Sequence, residues 1–522
     1  MNIIPKPLKA KSNGAQIPFS SQTAVSGDFQ NTVDFAVKAL ADKEASEESA
    51  LIFKRDESIK KEGYKIQCSG NEITVSANDE AGAFYAFMTL CQLSFGKNSV
   101  ESVEIEDAPK YYHRGFMLDS ARHFWTVDKI KQILDVMSSI KMNIFHWHLT
   151  DDQGWRIEIK KYPLLTEKGT TRKDTPLSLK GYNKNKEPHD NVEYGKGLFY
   201  TQDDAREIVA YAKERHIEII PEIDMPGHLV AAIACYPELS CTGEATEVSN
   251  RWGILDNIGC CGKDDVYNFA KDVIDELCEI FPYPYFHIGG DEVPKKRWKK
   301  CPKCQAKIKE LGLKDEEALQ GYFNNVICKY LKDKGRKTIG WNEILEASKG
   351  LDKDIIPQWW IKRKPAEKLE LKWLENGGKL IISLCDYVYM DHPYAVRPLS
   401  KTYGYSAAVM GIKDDSNVLG IEVPQWTEYV RNEKKFDLNT YARLIAISEA
   451  AWTAENLKDY EDFRTRLESM RPYFASLGAK IAPPEIYCGK TVSPIFSRVA
   501  NGWVKWRKDP NFEVPMAEKY GF

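Results

Sequence analysis

Two adjacent carboxylates are the most unusual chemical feature of this 522-residue chain. Asp291 and Glu292 follow two glycines and the apolar run FPYPYFHI, within the hexapeptide HIGGDE. Neighbouring acids repel each other, so packing alone does not explain the pair. Taken by itself, the hexapeptide is most simply a turn, because Gly-Gly-Asp is common in turns. The remaining motifs of the chain decide between a turn and a reactive site.

Adjacent acids can catalyse only a restricted kind of glycoside chemistry. An ordinary glycosidase flanks the scissile bond with two carboxylates roughly 5 to 9.5 Å apart, whereas consecutive Cα atoms lie only about 3.8 Å apart. Asp291 and Glu292 are therefore expected side by side, with one of them serving as general acid. A 2-acetamido sugar can supply its own nucleophile, because well-held intramolecular attack reaches effective molarities of roughly 10⁵ M or more. The second carboxylate would then orient the amide N–H and offset its developing charge.

The elements that must position this pair repeat regularly after residue 110. Strand patterns alternate with helical patterns, and the predicted strands cover 112–119, 143–150, 217–224, 283–290, 338–344, 355–360, 380–390 and 418–426. This alternation predicts an α/β fold, a (β/α)8 TIM barrel. A doubly wound sheet is the alternative, but no Gly-rich phosphate loop follows any strand.

Three regions are predicted along the chain. Residues 1–108 form a small α+β domain, 109–455 the catalytic barrel, and 456–522 a C-terminal helical extension. Most predicted barrel strands end in acids, amides or aromatic residues, such as Asp224 and Trp426. Because the carboxyl ends of barrel strands meet at one mouth, these groups should surround one pocket. Acids and aromatic faces together suit an uncharged, polyhydroxylated ligand.

The net charge of −3 and the isoelectric point near 6.4 give no reason to expect a nucleic-acid partner. No segment is apolar for long enough to predict a transmembrane helix. The N-terminal sequence MNIIPKPLKA lacks the apolar core of an export signal. The sequence leaves the oligomeric state open.

Several motifs in order resemble glycoside hydrolase family 20, the β-N-acetylhexosaminidases. They are RGFMLDSARHF, MNIFHWHLTDDQGWRIEIKKYP, EIDMPGH, YFHIGGDEV, GWNEI, YVYMDH and PQWTE, spread over roughly residues 110 to 455. The resemblance implies an exo-acting retaining enzyme that releases terminal β-linked N-acetylglucosamine, and also N-acetylgalactosamine, from glycans. The substrate-assisted oxazoline route belongs to that family. The resemblance implies no cofactor, and it implies export, with a cytoplasmic location as the alternative.

The same resemblance implies catalytic roles for four residues. Glu292 would be the general acid and then the base that activates water, and Asp291 would orient the acetamido group. His228 and Asp151 would form the pair behind the acid, where a histidine between carboxylates tunes its proton affinity. Asp152 is the alternative partner of His228, and the sequence does not separate the two.

The implied substrate-binding residues are Arg122, Trp341, Trp360, Tyr389, Asp391, Trp426 and Glu428. Arg122 would bind ring hydroxyls through its fixed fork of donors, although a salt bridge at a helix start is the alternative. Asp391 and Glu428 would accept hydrogen bonds from the outer hydroxyls, and Tyr389 would donate one to the acetamido carbonyl. The three tryptophans would wall the pocket, with the family spacing favouring Trp360 over Trp359.

Two other classes of function compete with this interpretation. His146 and His148 face the same side of one strand, and with His228, His287 and Asp224 they resemble the ligands of a metal-dependent hydrolase. An H-x-H pair alone is weak support for a metal, and the resemblance implies no metal ligand. A non-catalytic glycan-binding protein is the third hypothesis, but it would be expected to lack Asp291 or Glu292.

The twelve cysteines do not define a framework. Cys241 could form a disulfide with Cys260 or Cys261, which lie beyond the same loop. Cys301 and Cys304 form a single C-x-x-C motif, and no second pair follows at the spacing that a zinc site requires. The sequence therefore does not predict a structural zinc ion.

Overall fold

The computed structural model describes residues 1–177, 189–346, 350–362 and 367–488. Its N-terminal domain is a six-stranded mixed sheet in the order β1-β6-β4-β5-β3-β2, accompanied by two helices. The strands are β1 Lys9–Pro18, β2 Thr23–Gly27, β3 Ser49–Arg55, β4 Tyr64–Ser69, β5 Glu72–Ala77 and β6 Ser99–Asp107, and the helices are α1 Gln30–Ala41 and α2 Glu80–Leu93. Strands β4 and β5 pair antiparallel as a hairpin.

The second domain is a closed barrel of eight parallel strands, which confirms the predicted TIM barrel. The barrel strands are β7 His113–Asp119, β8 Ile144–His148, β11 Glu218–Glu222, β12 Tyr285–His287, β13 Lys337–Trp341, β14 Ile356–Trp359, β15 Leu380–Ile382 and β16 Val418–Gln425. A short hairpin, β9 Thr150–Asp151 and β10 Gly154–Trp155, follows the second barrel strand. Strand β16 pairs with β7 and closes the barrel.

Helices cover the outside of the barrel and continue beyond it. The helices up to β13 are α3 Val127–Ser139, α4 Leu164–Glu167, α5 Gln202–Lys213, α6 Val230–Cys235, α7 Asp264–Ile280, α8 Pro302–Glu310 and α9 Glu316–Asp333. Those that follow are α10 Glu367–Glu375, α11 Cys385–Val388, α12 Leu399–Tyr403, α13 Glu433–Trp452, α14 Tyr460–Ser469, α15 Arg471–Ser476 and α16 Pro484–Tyr487. Short 3₁₀ turns occupy Pro237–Leu239, Trp298–Lys300, Asn342–Glu346, Ala407–Met410 and Glu455–Leu457.

The predicted strand 380–390 is too long, because β15 ends at Ile382 and α11 begins three residues later. The Ser383 hydroxyl donates a 2.6 Å hydrogen bond to the Glu422 carbonyl, and the Leu384 amide donates one of 2.9 Å to the Tyr405 hydroxyl. The Ser383 and Cys385 amides still donate to the carbonyls of Trp359 and Trp360, so the chain stays beside β14 as it turns into α11. A continuous apolar run fits a buried strand or a buried helix equally well, so its periodicity could not locate this break.

The helices α14 to α16 lie within the predicted C-terminal extension, and its residues 489–522 lie outside the described residues. Helix α14 is tied to the barrel through Arg466, which donates to both carboxylate oxygens of Glu449 at 2.7 and 2.8 Å. The N-terminal domain is tied to the barrel through Asp107, which accepts from Trp452 at 3.0 Å and from Lys141 at 3.1 Å. These buried charge-assisted bonds fix the domains against each other.

Two further expectations can be compared with the fold. All twelve cysteines carry unpaired thiols, so Cys241 forms no disulfide with Cys260 or Cys261. Over the described ranges, no helix combines the length and apolar character needed to cross a bilayer.

Candidate active site

A cavity of about 290 Å³ opens at the carboxyl ends of the barrel strands. The residues that line it are Arg122, Asp151, Asp224, His228, Trp252, Gly253, Asp291, Glu292, Trp360, Tyr389, Asp391, His392, Trp426, Glu428 and Tyr429. Every predicted site residue except Trp341 is among them. A larger cavity of about 1250 Å³ lies between the N-terminal domain and the opposite end of the barrel, where barrel enzymes do not place their active sites.

The loop after β12 shows why two glycines precede the acid pair. Gly289 and Gly290 adopt φ values of 66° and 90°, in the left-handed region that favours glycine. A Cβ on Gly289 would lie 1.8 Å from the Asp224 carboxylate, and one on Gly290 would lie 2.7 Å from Ile344. Glu292 also has a positive φ, 48°. The hexapeptide is thus a tight loop that forms part of the candidate active site, because its backbone directs both carboxylates to the cavity.

His228 stands between two pairs of carboxylates. Its Nε2 lies 3.6 Å from the nearer Glu292 oxygen and 4.0 Å from the nearer Asp291 oxygen. Although burial opposes the charged form, Asp151 and the surrounding hydrogen bonds raise the pKa of His228 well above its usual value. The residue also has a positive φ of 45°. A cationic imidazole in this position links the acid pair to the barrel interior.

Both candidate partners of His228 contact its other ring nitrogen. Nδ1 lies 3.2 Å from Asp151 and 3.1 Å from Asp152, and only the latter contact has hydrogen-bond geometry. Asp151 is engaged elsewhere, at 2.6 Å from Arg122 and 3.0 Å from His148. Although burial opposes its ionisation, Arg122 and His228 lower the pKa of Asp151, whereas burial raises that of Asp152. Both aspartates therefore contact His228, Asp152 through the bond with hydrogen-bond geometry and Asp151 as a charged neighbour that also binds Arg122.

Four residues form one side of the cavity, which we term the acidic wall: Asp224, His228, Asp291 and Glu292. Burial raises the pKa of Asp224 to about 7. Burial and the nearby Asp224 also raise the pKa of Asp291 well above its usual range. Carboxylate oxygens of the two aspartates lie within 4.8 Å of each other, so ionising one opposes ionising the other. A group that offers positive charge to Asp291 would relieve this repulsion.

A second group of lining residues is the aromatic wall, made of Trp360, Tyr389, Asp391, Trp426 and Glu428. The rings of Trp360 and Tyr389 stack with centroids 5.9 Å apart and an interplanar angle of 15°. Trp426 lies 6.2 Å from Tyr389. Burial and the charge of Glu428 raise the pKa of Asp391 to about 7. Flat rings beside hydrogen-bond acceptors can cover a sugar face and bind its hydroxyls.

Arg122 is held rigidly at the edge of the cavity. Its Nε donates to Gln153 at 2.9 Å, and its terminal nitrogens lie 2.6 Å from Asp151 and 3.4 Å from Asp119. The guanidinium carbon sits 5.0 Å from the centre of the Trp426 ring. These ion pairs are buried, unlike an exposed salt bridge at a helix start. They hold the guanidinium in place as a fixed cation facing the cavity.

Trp341 lies beneath the cavity and does not line it. Its ring is 1% exposed, packs 5.8 Å from Trp426, and donates a 2.8 Å hydrogen bond to Glu222. The inward-pointing residues of barrel strands stack in layers, and Trp341 lies in the layer of Glu222. It supports Trp426, which is a different role from the predicted wall.

Two buried carboxylates, Glu222 and Glu422, contact histidines that the alternative metal site would use. His146 contacts Glu422 at 2.6 Å and Glu222 at 3.1 Å, and His148 bridges Glu222 and Asp151. Burial opposes the charged imidazole, but these carboxylates raise the pKa of His146 to about 9 and that of His148 to about 10. His146 and His148 are therefore held as hydrogen-bonded cations, whereas burial lowers the pKa of His287, the third histidine at Glu222.

Sequence reasoning missed several residues of this region. Trp252 and Gly253 line the cavity from a long loop that carries no recognised motif. His392 and Tyr429 directly follow the predicted residues Asp391 and Glu428, so their positions in YMDH and WTEYV were an available signal. Glu222 ends strand β11, and the strand pattern does not reveal that three histidines and Trp341 converge on it.

Comparisons with known proteins agree with this geometry. The family described as "Glycosyl hydrolase family 20, catalytic domain" matches residues 111–455, and "Glycosyl hydrolase family 20, domain 2" matches residues 1–108. A β-hexosaminidase of Porphyromonas gingivalis is 36% identical over 517 residues, covering 90% of this chain. The chain spans 62% of the length of that relative.

Two solved structures share the fold. A family 20 exo-β-N-acetylglucosaminidase of Vibrio harveyi, in complex with N-acetylglucosamine, superposes with a TM-score of 0.81 at 31% identity, covering 92% of this chain and 78% of its own. The β-N-acetylhexosaminidase of Bacteroides fragilis gives a TM-score of 0.80 at 31% identity, covering 92% of this chain and 97% of its own.

Proposed function

This chain belongs to glycosyl hydrolase family 20, and from that membership we propose that it is an exo-acting, retaining β-N-acetylhexosaminidase. It releases terminal β-linked N-acetylglucosamine and N-acetylgalactosamine from glycans or glycoconjugates through an oxazoline intermediate. One observation carries the proposal. Asp291 and Glu292 approach the same imidazole nitrogen of His228, so they share one side of the cavity and do not face each other across it.

The first chemical step uses the two acids differently. The Asp291 carboxylate accepts a hydrogen bond from the acetamido N–H, which turns the carbonyl oxygen towards the anomeric carbon. That oxygen forms a bond to the anomeric carbon while the glycosidic bond breaks, and Glu292 gives its proton to the departing oxygen. The positive charge that develops on the oxazoline ring lies beside Asp291, whose repulsion with Asp224 it relieves.

The second step reverses the proton transfer. The Glu292 carboxylate takes a proton from water, and the water oxygen attacks the anomeric carbon on the face that the leaving group vacated. The carbon–oxygen bond of the oxazoline breaks, and the acetamido group is restored. Two inversions at one carbon give retention of configuration. The His228 cation faces Glu292 through both steps and offsets its charge when it is ionised.

The shape of the cavity supports an exo mode of action. Its volume of about 290 Å³ is at the small end of ligand pockets. Arg122, Asp391 and Glu428 present one cation and two acceptors to the same cavity, and they would bind the outer hydroxyls of a terminal sugar. A chain extended at those hydroxyls would meet these side chains.

The direct test is release of nitrophenol from the β-glycosides of N-acetylglucosamine, N-acetylgalactosamine and glucose. We expect rapid release from the two acetamido sugars and little from glucose, because only the former carry the internal nucleophile. Equal release from all three would indicate an enzyme nucleophile and contradict the proposal. The natural glycan and the export of the chain remain predictions from the family resemblance.

A further inference from the structure

Four cysteines from separate parts of the chain converge beside the active-site loops. The Sγ atoms of Cys241, Cys260, Cys301 and Cys304 all lie within 4.8 Å of one another. Three of these residues are buried and Cys241 is partly buried. The measured separations are 3.6 Å for Cys260–Cys304, 3.7 Å for Cys260–Cys301 and 4.0 Å for Cys241–Cys304.

These separations fit a shared metal better than a disulfide. A disulfide would hold two sulphurs about 2.05 Å apart. Four thiolates around one zinc ion, at about 2.3 Å each, have sulphurs about 3.8 Å apart at the corners of a tetrahedron. The separations in this cluster bracket that edge length. We propose that Cys241, Cys260, Cys301 and Cys304 bind one structural zinc ion.

The local backbone is arranged for such a site. Cys301 caps helix α8 and Cys304 lies in its first turn, so the C-x-x-C pair stands at the positive end of the helix dipole, which favours thiolates. Gly262 makes the approach of the Cys260 loop possible, because a Cβ there would lie 2.3 Å from the backbone nitrogen of Cys304.

The four cysteines also supply the complete set of ligands that a structural zinc ion requires. Zinc in structural sites takes four protein ligands and keeps no open position, and an all-cysteine set is one of the common combinations. Soft thiolates in a tetrahedron select zinc or iron over calcium and magnesium. Among the residues that the structure describes, the cluster contains four sulphurs and no fifth ligand group, which is the composition of a structural site.

The site would join three segments that shape the cavity. Cys241 and Cys260 bracket the loop that carries Trp252 and Gly253, and Cys241 follows the segment that holds His228. Cys301 comes shortly after Glu292 on the next loop. A metal at this point would fix the base of all three segments at once, which we expect to raise thermal stability and keep Trp252 in place.

The test is elemental analysis of the full-length protein, purified under reducing conditions without added metal. We expect about one zinc per chain. Cys304→Ser should lose most of this zinc and unfold at a lower temperature. Cys261→Ser is the matched control, because Cys261 is buried in the same loop but lies outside the cluster. It should keep the zinc.

Zinc-free wild-type protein, zinc retained at full occupancy by Cys304→Ser, or iron in place of zinc would each overturn the assignment. If Cys304→Ser fails to fold, X-ray absorption of the wild type decides. Four sulphur neighbours at about 2.3 Å support the site, and nitrogen or oxygen neighbours contradict it. Neither measurement depends on glycosidase activity, so failure of the zinc site and failure of the proposed function are distinguishable.

Discussion

The two walls of the cavity are built on different physical principles. On the acidic wall, His228 and Glu292 both hold positive φ values, and the glycines before Asp291 are also left-handed. No residue of the aromatic wall, all of which the structure describes, adopts such a backbone. Non-glycine residues in these regions cost about 1–3 kcal/mol each, and such strain is typical of reacting groups.

This difference assigns separate tasks to the walls. The acidic wall crowds carboxylates whose repulsion His228 offsets only in part and which developing positive charge relieves further, so it should act mainly on the transition state. The aromatic wall offers stacked rings and hydroxyl acceptors that contact the substrate throughout, so it should act mainly on binding. Changes in the first wall should lower kcat, and changes in the second should raise KM.

The largest expected effect comes from Glu292→Gln. Loss of the general acid should lower kcat by roughly 10²-fold or more, with little change in KM. The loss should be greater for a disaccharide than for a nitrophenyl glycoside, because nitrophenolate leaves readily without a proton. Steady-state kinetics on both substrates measure this difference.

The matched control is Glu279→Gln, the same change on an exposed residue of α7 outside the cavity. It should leave both kinetic constants unchanged. Near-parental turnover of the Glu292 variant would show that another group donates the proton.

A smaller effect, on KM and not on kcat, is expected from Trp360→Ala. Removing this ring abolishes its stacking on Tyr389 and opens the aromatic wall. KM should rise about tenfold, while kcat changes little, since a lost pocket contact costs about 1–3 kcal/mol. Trp360→Phe should recover much of the affinity. A fall in kcat as large as that of Glu292→Gln would contradict the proposal that the aromatic wall acts mainly on binding.

The smallest effect is a shift in pH dependence from Asp224→Asn. Asp291 must be ionised to accept the amide N–H, and its pKa is raised, so kcat/KM should fall as the pH drops through that pKa. The substitution removes a neighbouring negative charge, which lets Asp291 ionise at lower pH. The acid limb should move down by about one pH unit.

Asp203→Asn is the control for this shift, because the Asp203 side chain is 95% exposed on α5. It should leave the profile in place. An acid limb that stays fixed in Asp224→Asn, or moves to higher pH, would mean that Asp224 does not set the ionisation of Asp291.

The barrel was predictable because its signals are local and repeated. Eight strand patterns recur with helical patterns between most of them, and the motifs lie at strand ends, where barrel geometry alone brings the residues together. The strand at 380–390 was overextended because a continuous apolar run does not show that the strand ends at Ile382 and that a helix begins at Cys385.

The site was harder to predict where contacts cross the barrel. The sequence places Trp341 at a strand end but not in the layer beneath the cavity, since that depends on its bond to Glu222. The sequence also does not distinguish Asp151 from Asp152 as the partner of His228. Both lie beside the histidine, and they differ in their other contacts, such as that of Asp151 with Arg122. The spacing of the cysteines along the sequence did not reveal the cluster, because its four members come from three separate segments.

The central claim is that the acetamido oxygen of the substrate is the nucleophile. The most direct measurement is kcat of the wild type and of Asp291→Asn on nitrophenyl glycosides whose N-acetyl group carries zero, one, two or three fluorines. Fluorine weakens the carbonyl oxygen as a nucleophile. We predict that kcat of the wild type falls progressively along the series and that Asp291→Asn turns over the parent substrate slowly. A wild-type kcat indifferent to fluorination would contradict participation of the substrate and point to a nucleophile on the protein.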